Sequence, residues 1–359
     1  MRVMIAAGGT GGHIYPGIAV AQEIMRRDPN AKVRFVGTAR GLETRLVPQA
    51  GFELSLIDSS GLKNVSAVAR IKGVLILPKS FASALAVIRG FKPDVVVGAG
   101  GYVSGPVVMM AALTRRATLV MDSNALPGWT NRVLARFVDR AAVSFDQALR
   151  FFRGKGVVTG NPVRREFFEI PPKQRDSGKF SVLVFGGSQG ARAINEAIVA
   201  ALPQLKESMV RLQIKHQTGA ADFEKVEAAY KSSGWNGDAE VRSYIDNMVE
   251  DFANADLVVC RAGATTTAEL IAAGKAAVMI PFPLAADDHQ RKNAEALVES
   301  GAARMILQKD LSGERIAKEI IELAQHPETV NSMEHAIRKL AKGDAAAAAV
   351  DIIEELSVR

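Results

Sequence analysis

The 359-residue chain is 48% hydrophobic and 23% charged, an ordinary globular balance, and its length favours two domains over one. Its single cysteine, Cys260, excludes an internal disulfide and a cysteine-based zinc site, and suits a reducing compartment. The net charge of +7 is uneven, with 21 Lys and Arg against 9 Asp and Glu in residues 1–160, and 24 against 29 in residues 161–359.

A basic half of this kind suits a phosphorylated substrate or an anionic surface. Zinc-finger spacing, an aromatic RNA-binding run and a basic tail are all missing from the sequence, which argues against nucleic acid. Only five apolar residues, Val3 to Ala7, precede the first glycines, too few for a secretory signal. No apolar run approaches membrane-spanning length, so the expectation is a protein not integral to a membrane.

In chain order, strands are expected at Val3–Ala7, Lys32–Val36, Asp94–Val97, Thr118–Met121 and Ala142–Ser144. Gly160-Asn161-Pro162 and then Pro171-Pro172 interrupt regular structure, placing a hinge near residue 161 and domains at 1–160 and 161–343. The second half offers strands at Ser181–Phe185, Leu212–His216, Val241–Tyr244, Leu257–Cys260 and Ala277–Ile280. β-rich runs alternating with helical periodicity imply an α/β fold with one doubly wound parallel sheet in each half. The last stretch, Asp344 to Leu356, reads as a helix capped by Asp344 and rich in alanine, the best helix former.

Both halves open alike. Val3 to Ala7 runs into Gly8-Gly9-Thr10-Gly11-Gly12-His13, and Val182 to Phe185 runs into Gly186-Gly187-Ser188-Gln189-Gly190-Ala191. A strand, a glycine turn and a helix start present free N–H groups and the positive end of a helix dipole, which suits phosphate. Nicotinamide spacing fails, because Ile14 stands where the third glycine belongs and Gly37-Thr38 replaces the acidic residue that grips a ribose. No Gly-Lys pair is followed by Ser or Thr, which excludes a P-loop. There is no Asp-x-Asp pair, so neither a metal nor a cofactor is expected, and helix dipoles and cations must meet the charge of a bound diphosphate.

Taken together the motifs resemble the MurG family of bacterial UDP-N-acetylglucosamine:lipid I N-acetylglucosaminyltransferases. The resemblance spans nearly the whole chain. It is carried by Gly8 to His13, Gly100 to Pro106, Asn124 with Gly128-Trp129-Thr130-Asn131, Gly160 to Arg164, Gly186 to Ala191, Arg261 to Ala264 with Glu269, and Asp288-His289-Gln290 before Asn293. It implies two Rossmann-like domains facing across a cleft, the GT-B plan, with the helix at 344–359 returning to the first domain. It further implies an inverting single displacement that makes lipid II for the cell wall, and with it cell shape and division.

Residue by residue, the resemblance assigns the diphosphate to Ser188 and its turn, with Arg164 adding charge on the leaving group. Glu269 is assigned the ribose hydroxyls, the Ile245 backbone the uracil, and Asn124 and Gln290 the sugar hydroxyls and acetamido group. Thr10, Gly11, Gly12, Ala264 and Thr265 complete the substrate-binding set, and Tyr102 and Ser104 lie on the acceptor side. His13 or Asp122 is the base. The family pattern His-Glu-Gln-Asn reads Met121-Asp122-Ser123-Asn124 here, one methylene shorter at the carboxylate, which leaves that choice open.

The implied partners are UDP-N-acetylglucosamine, a polyprenyl-diphosphate-linked muramyl pentapeptide, the anionic inner leaflet and other cell-wall enzymes. The implied place is the cytoplasmic face of the plasma membrane, reached peripherally through the cation-bounded apolar run Arg70 to Lys79. Three other readings fit parts of the pattern: a glycolipid-forming transferase, a UDP-N-acetylglucosamine epimerase and a non-catalytic sugar-nucleotide sensor or membrane scaffold. The acceptor-side motif Tyr102 to Pro106 argues against the first two, and joint retention of Arg164, Ser188, Glu269 and Gln290 against the third.

Overall fold

The computed structural model describes residues 1–59, 67–124, 126–175, 178–187, 190–235, 237–285, 288–341 and 343–358, with the backbone alone over 67–76. The chain divides into two compact units, Met1–Arg164 with Lys342–Arg359, and Arg165–Ala341.

The first unit runs β1 (Arg2–Ala7), α1 (Gly11–Arg27), β2 (Lys32–Gly37), α2 (Glu43–Gln49), β3 (Glu53–Leu56), α3 (Ala67–Phe91), β4 (Val95–Gly100), α4 (Ser104–Leu113), β5 (Ala117–Asp122), α5 (Trp129–Leu134), β6 (Arg140–Val143) and β7 (Gly156–Val158). Its strands form one parallel sheet in the order β3-β2-β1-β4-β5-β6-β7. The central strands are apolar without alternation because helices cover both faces, and Val3 to Ala7 and Val95 to Val97 are fully buried.

The second unit runs β8 (Phe180–Phe185), α6 (Arg192–Glu207), β9 (Leu212–Gln217), α7 (Phe223–Ser232), β10 (Ala239–Arg242), α8 (Met248–Asn254), β11 (Leu257–Cys260), α9 (Ala264–Ala273), β12 (Ala277–Met279), α10 (His289–Glu299), β13 (Ala303–Met305), α11 (Gly313–Gln325) and α12 (Pro327–Arg338). Its parallel sheet has the order β10-β9-β8-β11-β12-β13. With β1 and β8 each counted as first, both sheets contain the order 3-2-1-4-5-6. The repeated openings seen in sequence are therefore the first βα turns of two like folds.

The final helix, α13 (Ala345–Ser357), packs on α1 of the first unit. Asp344 Oδ1 accepts from the N–H groups of Ala346 and Ala347 at 2.9 and 3.1 Å. Arg27 reaches across to Asp351 at 2.6 Å and Glu354 at 3.0 Å, and also donates to the Ala347 carbonyl.

Three strands escape the sequence reading, and each lies at or near a sheet edge. β3 and β7 form the two edges of the first sheet, where Val157 and Val158 are each 42% exposed, and β13 carries Arg304 in its middle. None has the two-sided burial that writes a continuous apolar run into sequence. The strand expected at Val241–Tyr244 runs instead over Ala239–Arg242, in register with Ile214 to Gln217 of β9.

Candidate functional site

In an open α/β sheet, ligands gather at the carboxyl ends of the strands where the winding reverses. That point falls between β1 and β4 in the first unit and between β8 and β11 in the second. Both glycine turns lie there.

In the first unit Gly100, the last residue of β4, and Gly101 adopt φ of +117° and +81°. A Cβ on Gly101 would lie 2.1 Å from the Gly8 carbonyl oxygen, and one on Gly100 would lie 2.2 Å from His13 Nδ1. Close approach of the two loops thus requires glycine and seats the His13 ring against Gly100. Glu43 holds the first loop from behind: its buried carboxylate accepts from the Gly9 N–H at 2.9 Å and from the Thr38 N–H and hydroxyl at 2.8 Å. Nothing in the local sequence marks Glu43 for this role.

Thr10 precedes α1, and Gly11, Gly12 and His13 form its first turn, in which the His13 N–H donates to the Thr10 carbonyl at 3.1 Å. Burial of the His13 ring lowers its pKa, opposed by the Asp122 charge and by a hydrogen bond to the Ala99 carbonyl. At neutral pH the imidazole is therefore uncharged and able to accept a proton.

Asp122 ends β5 and is 8% exposed. Burial raises its pKa, against the pull of hydrogen bonds from Asn124, Asn131 and Gly128 and the charge of His13. Oδ1 accepts from the Asn124 N–H at 3.0 Å and its Nδ2 at 3.4 Å; Oδ2 accepts from the Gly128 N–H at 3.0 Å and Asn131 Nδ2 at 2.9 Å. Asn131 Nδ2 also donates to the Met121 carbonyl at 2.9 Å. With both oxygens engaged, Asp122 organises the loop that leads into α5.

His13, Asp122 and Asn124 share a cavity of about 900 Å³ with the apolar side chains of Pro106, Met109 and Trp129. Tyr102, 55% exposed, stands at its wall. Ser104, expected on the acceptor side, is instead turned inward: it is 1% exposed, its hydroxyl lies 2.9 and 2.8 Å from the Ala6 and Gly100 carbonyls, and it accepts from the Gly100 N–H. Arg164 places its guanidinium over the Tyr15 ring, 4.8 Å from the centroid.

In the second unit the turn after β8 leads into α6. Gly187 and Gly190 have φ of +96° and +78°, and a Cβ on Gly190 would lie 1.9 Å from the Thr218 carbonyl oxygen. Ser188 lies outside the described residues. Behind the turn, Asn195 Nδ2 donates to the Thr218 carbonyl at 2.9 Å and to Asp222 at 2.8 Å. Asn195 Oδ1 meets His216 Nε2 at 3.1 Å, and His216 Nδ1 meets the Tyr230 hydroxyl at 3.2 Å.

The second half of this site is the start of α9. Ala264 and Thr265 occupy its first turn, and Glu269 lies farther along, 8% exposed. Ile245 is buried with its N–H donated to Gln217. Gln290 in α10 uses its carbonyl oxygen to accept from the Phe282 N–H at 3.0 Å, which leaves its NH2 group for a ligand. Asn293 Nδ2 ties α10 to the Ala262 carbonyl, and Arg261 donates to the carbonyls of Ile280 and Pro281, fixing the loop between β12 and α10.

Of the apolar surface expected at Arg70 to Lys79, the side chains of residues 70–76 lie outside the described residues. Lys79 pairs with Asp58 at 2.9 Å, which offsets its charge. A surface unmarked in the sequence is visible: Trp129, Val133 and Phe137, at a spacing of four, are 55%, 41% and 48% exposed. No helix among the described residues is long and apolar enough to cross a membrane.

Each of the two Rossmann-like units carries a glycine turn at its switch point, a plan that nucleotide-sugar glycosyltransferases use. The sequence matches the glycosyltransferase family 28 N-terminal domain over residues 3–143 and the family's C-terminal domain over residues 181–355, and the chain belongs to this family. Among its relatives is the UDP-N-acetylglucosamine–N-acetylmuramyl-(pentapeptide) pyrophosphoryl-undecaprenol N-acetylglucosamine transferase of Anaeromyxobacter sp. strain Fw109-5, 48% identical over 99% of this chain and 93% of the relative. The enzyme of that name from Pelobacter propionicus is 45% identical over 98% of this chain and 99% of its own. The crystal structure of Acinetobacter baumannii MurG is similar at 31% identity, with a TM-score of 0.71 and 99% of both chains covered.

Proposed function

We infer that this protein transfers N-acetylglucosamine from UDP-N-acetylglucosamine to the muramyl residue of the polyprenyl-diphosphate-linked pentapeptide precursor, lipid I, giving lipid II. The observation that carries the reading is the seating of His13 on a phosphate-type helix start, against Gly100 and beside Asp122, in a cavity walled by apolar side chains. Full-length similarity to transferases of that name supports the substrates.

The first unit takes the acceptor. His13, neutral at working pH, removes the proton of the muramyl 4-hydroxyl as that oxygen attacks the anomeric carbon and UDP departs from the opposite face. The stereochemistry inverts. Asp122 holds the loop bearing Asn124, and its negative charge steadies the imidazolium that forms.

The second unit takes the donor. N–H groups at the turn before α6 and at the start of α9 face the diphosphate, Glu269 the ribose and the Ile245 carbonyl the uracil imide, while Arg164 neutralises charge on the leaving group. These groups meet the diphosphate with dipoles and a guanidinium, so turnover is expected to persist in a metal chelator. The first unit's excess of Lys and Arg, together with the exposed Trp129, Val133 and Phe137, suits peripheral contact with an anionic leaflet.

The test is acceptor-dependent release of UDP from UDP-N-acetylglucosamine by purified protein given a lipid I analogue. Release that needs the acceptor supports the reading, whereas donor turnover without it favours an epimerase. Donor binding without turnover of any acceptor favours a sensor.

A further inference from the structure

Gln217, the last residue of β9, is 2% exposed and joins two segments far apart in sequence. Its Nε2 donates to the Gly187 carbonyl at 2.9 Å, and its Oε1 accepts from the Ile245 N–H at 2.8 Å. Gly187 belongs to the turn after β8, and Ile245 follows β10. In the sheet β9 lies between those two strands, so a side chain at its carboxyl end is the one placed to reach both loops.

The backbone that follows repeats the tie. Thr218 and Gly219 donate their N–H groups to the Arg242 and Ser243 carbonyls at 2.9 and 3.1 Å, while Gly190 rests against the Thr218 carbonyl. The end of β9 is thus a junction between the phosphate turn and the loop that carries Ile245.

We propose that Gln217 is a positioning residue for the donor: its amide sets the spacing between the diphosphate turn and the uracil-reading loop, so that both ends of the nucleotide are engaged together. This rests on the reading of the second unit as the UDP-sugar site. A carboxamide presents a donor and an acceptor in one plane. A carboxylate at 217 keeps the Ile245 contact but turns lone pairs toward the Gly187 carbonyl. Protonation restores an O–H donor there, and burial beside a carbonyl raises the pKa of such a carboxyl group.

The experiment compares full-length wild type, Gln217→Met and Gln217→Glu. UDP-N-acetylglucosamine binding is measured by calorimetry between about pH 5 and pH 8, with steady-state kinetics and melting temperatures alongside. Gln217→Met is expected to weaken donor binding about tenfold or more and to raise the donor KM, leaving the acceptor KM and kcat at saturating donor near wild type. Gln217→Glu is expected to bind poorly at the alkaline end and recover as pH falls, after division by the wild-type curve.

Wild-type affinity in Gln217→Met, or a Gln217→Glu to wild-type ratio that does not change with pH, overturns the proposal while leaving the donor site in place. A uniform loss of kcat and of both affinities, in step with a lowered melting temperature, also overturns it, because it shows only a folding role. Failure of the wild type itself to bind UDP-N-acetylglucosamine overturns the donor-site reading and this proposal with it.

Discussion

The guanidinium of Arg164 lies over the face of Tyr15, 4.8 Å from the ring centroid. Tyr15 stands two residues beyond His13 on α1, so one helix carries the candidate base and supports the cation assigned to the leaving group. A flat, delocalised cation stacks on that ring face, whereas a lysine ammonium offers only a point charge. Arg164→Lys is expected to lower kcat by about tenfold to a hundredfold with the acceptor KM little changed. Steady-state kinetics with both substrates varied would measure this, and wild-type kcat in the lysine variant would remove Arg164 from the mechanism.

His13 and Asp122 part company in their expected behaviour. His13→Ala is expected to reduce kcat by about 10²–10⁴-fold without changing the fold. Asp122→Asn places an NH2 group where the Gly128 N–H and Asn131 Nδ2 now find an acceptor. The cost is about 1–3 kcal/mol, read as a lower melting temperature together with a raised acceptor KM. If the two variants reverse these roles, Asp122 is the base.

The pH profile follows from the direction of the His13 shift. Its pKa is lowered by burial, so the neutral, proton-accepting form prevails above a point that lies below 6.5. The rate should therefore be flat near neutrality and fall on acidification below that point. The dependence of log(kcat) on pH in the wild type should show this acid limb, and His13→Gln should lack it.

A second histidine acts on stability. Burial holds the His216 pKa at about 3, against 6.5 when unfolded. Between those values the unfolded chain binds more protons than the folded one, so stability falls as pH drops from about 6.5 toward 3. Denaturant titrations across that window should show the loss, and His216→Gln should flatten its slope.

Gly190→Ala tests the phosphate turn. The residue has φ of +78° and would set its Cβ 1.9 Å from the Thr218 carbonyl oxygen. Strain of about 1–3 kcal/mol is expected, and relief by moving the turn should raise the donor KM more than it lowers the melting temperature. An unchanged donor KM would place the diphosphate elsewhere.

The sequence announces what is local. A strand, a glycine turn and a helix start are contiguous, so both glycine turns, the position of His13 at the start of α1 and the doubly wound class can be read from Val3 to His13 and from Val182 to Ala191. Asp344 was legible as a cap for the same reason. What escapes is long-range support. Glu43 reaches back 34 residues to Gly9, and Gln217 forward 28 to Ile245, and an isolated glutamate or glutamine carries no mark of its partner. Ser104 fits an acceptor motif by position, yet its hydroxyl is used inside the fold, because the direction of a side chain is set by packing and not by spacing.

In the proposed mechanism His13 drives a single displacement on the acceptor hydroxyl while UDP leaves. The most direct measurement is the anomeric configuration of the new glycosidic bond, read from the NMR coupling of the product made from UDP-N-acetylglucosamine and a lipid I analogue. The expected product has a β linkage to the muramyl 4-hydroxyl, inverted from the α donor, and it is lost in His13→Ala. An α linkage, or undiminished product from that variant, would contradict it.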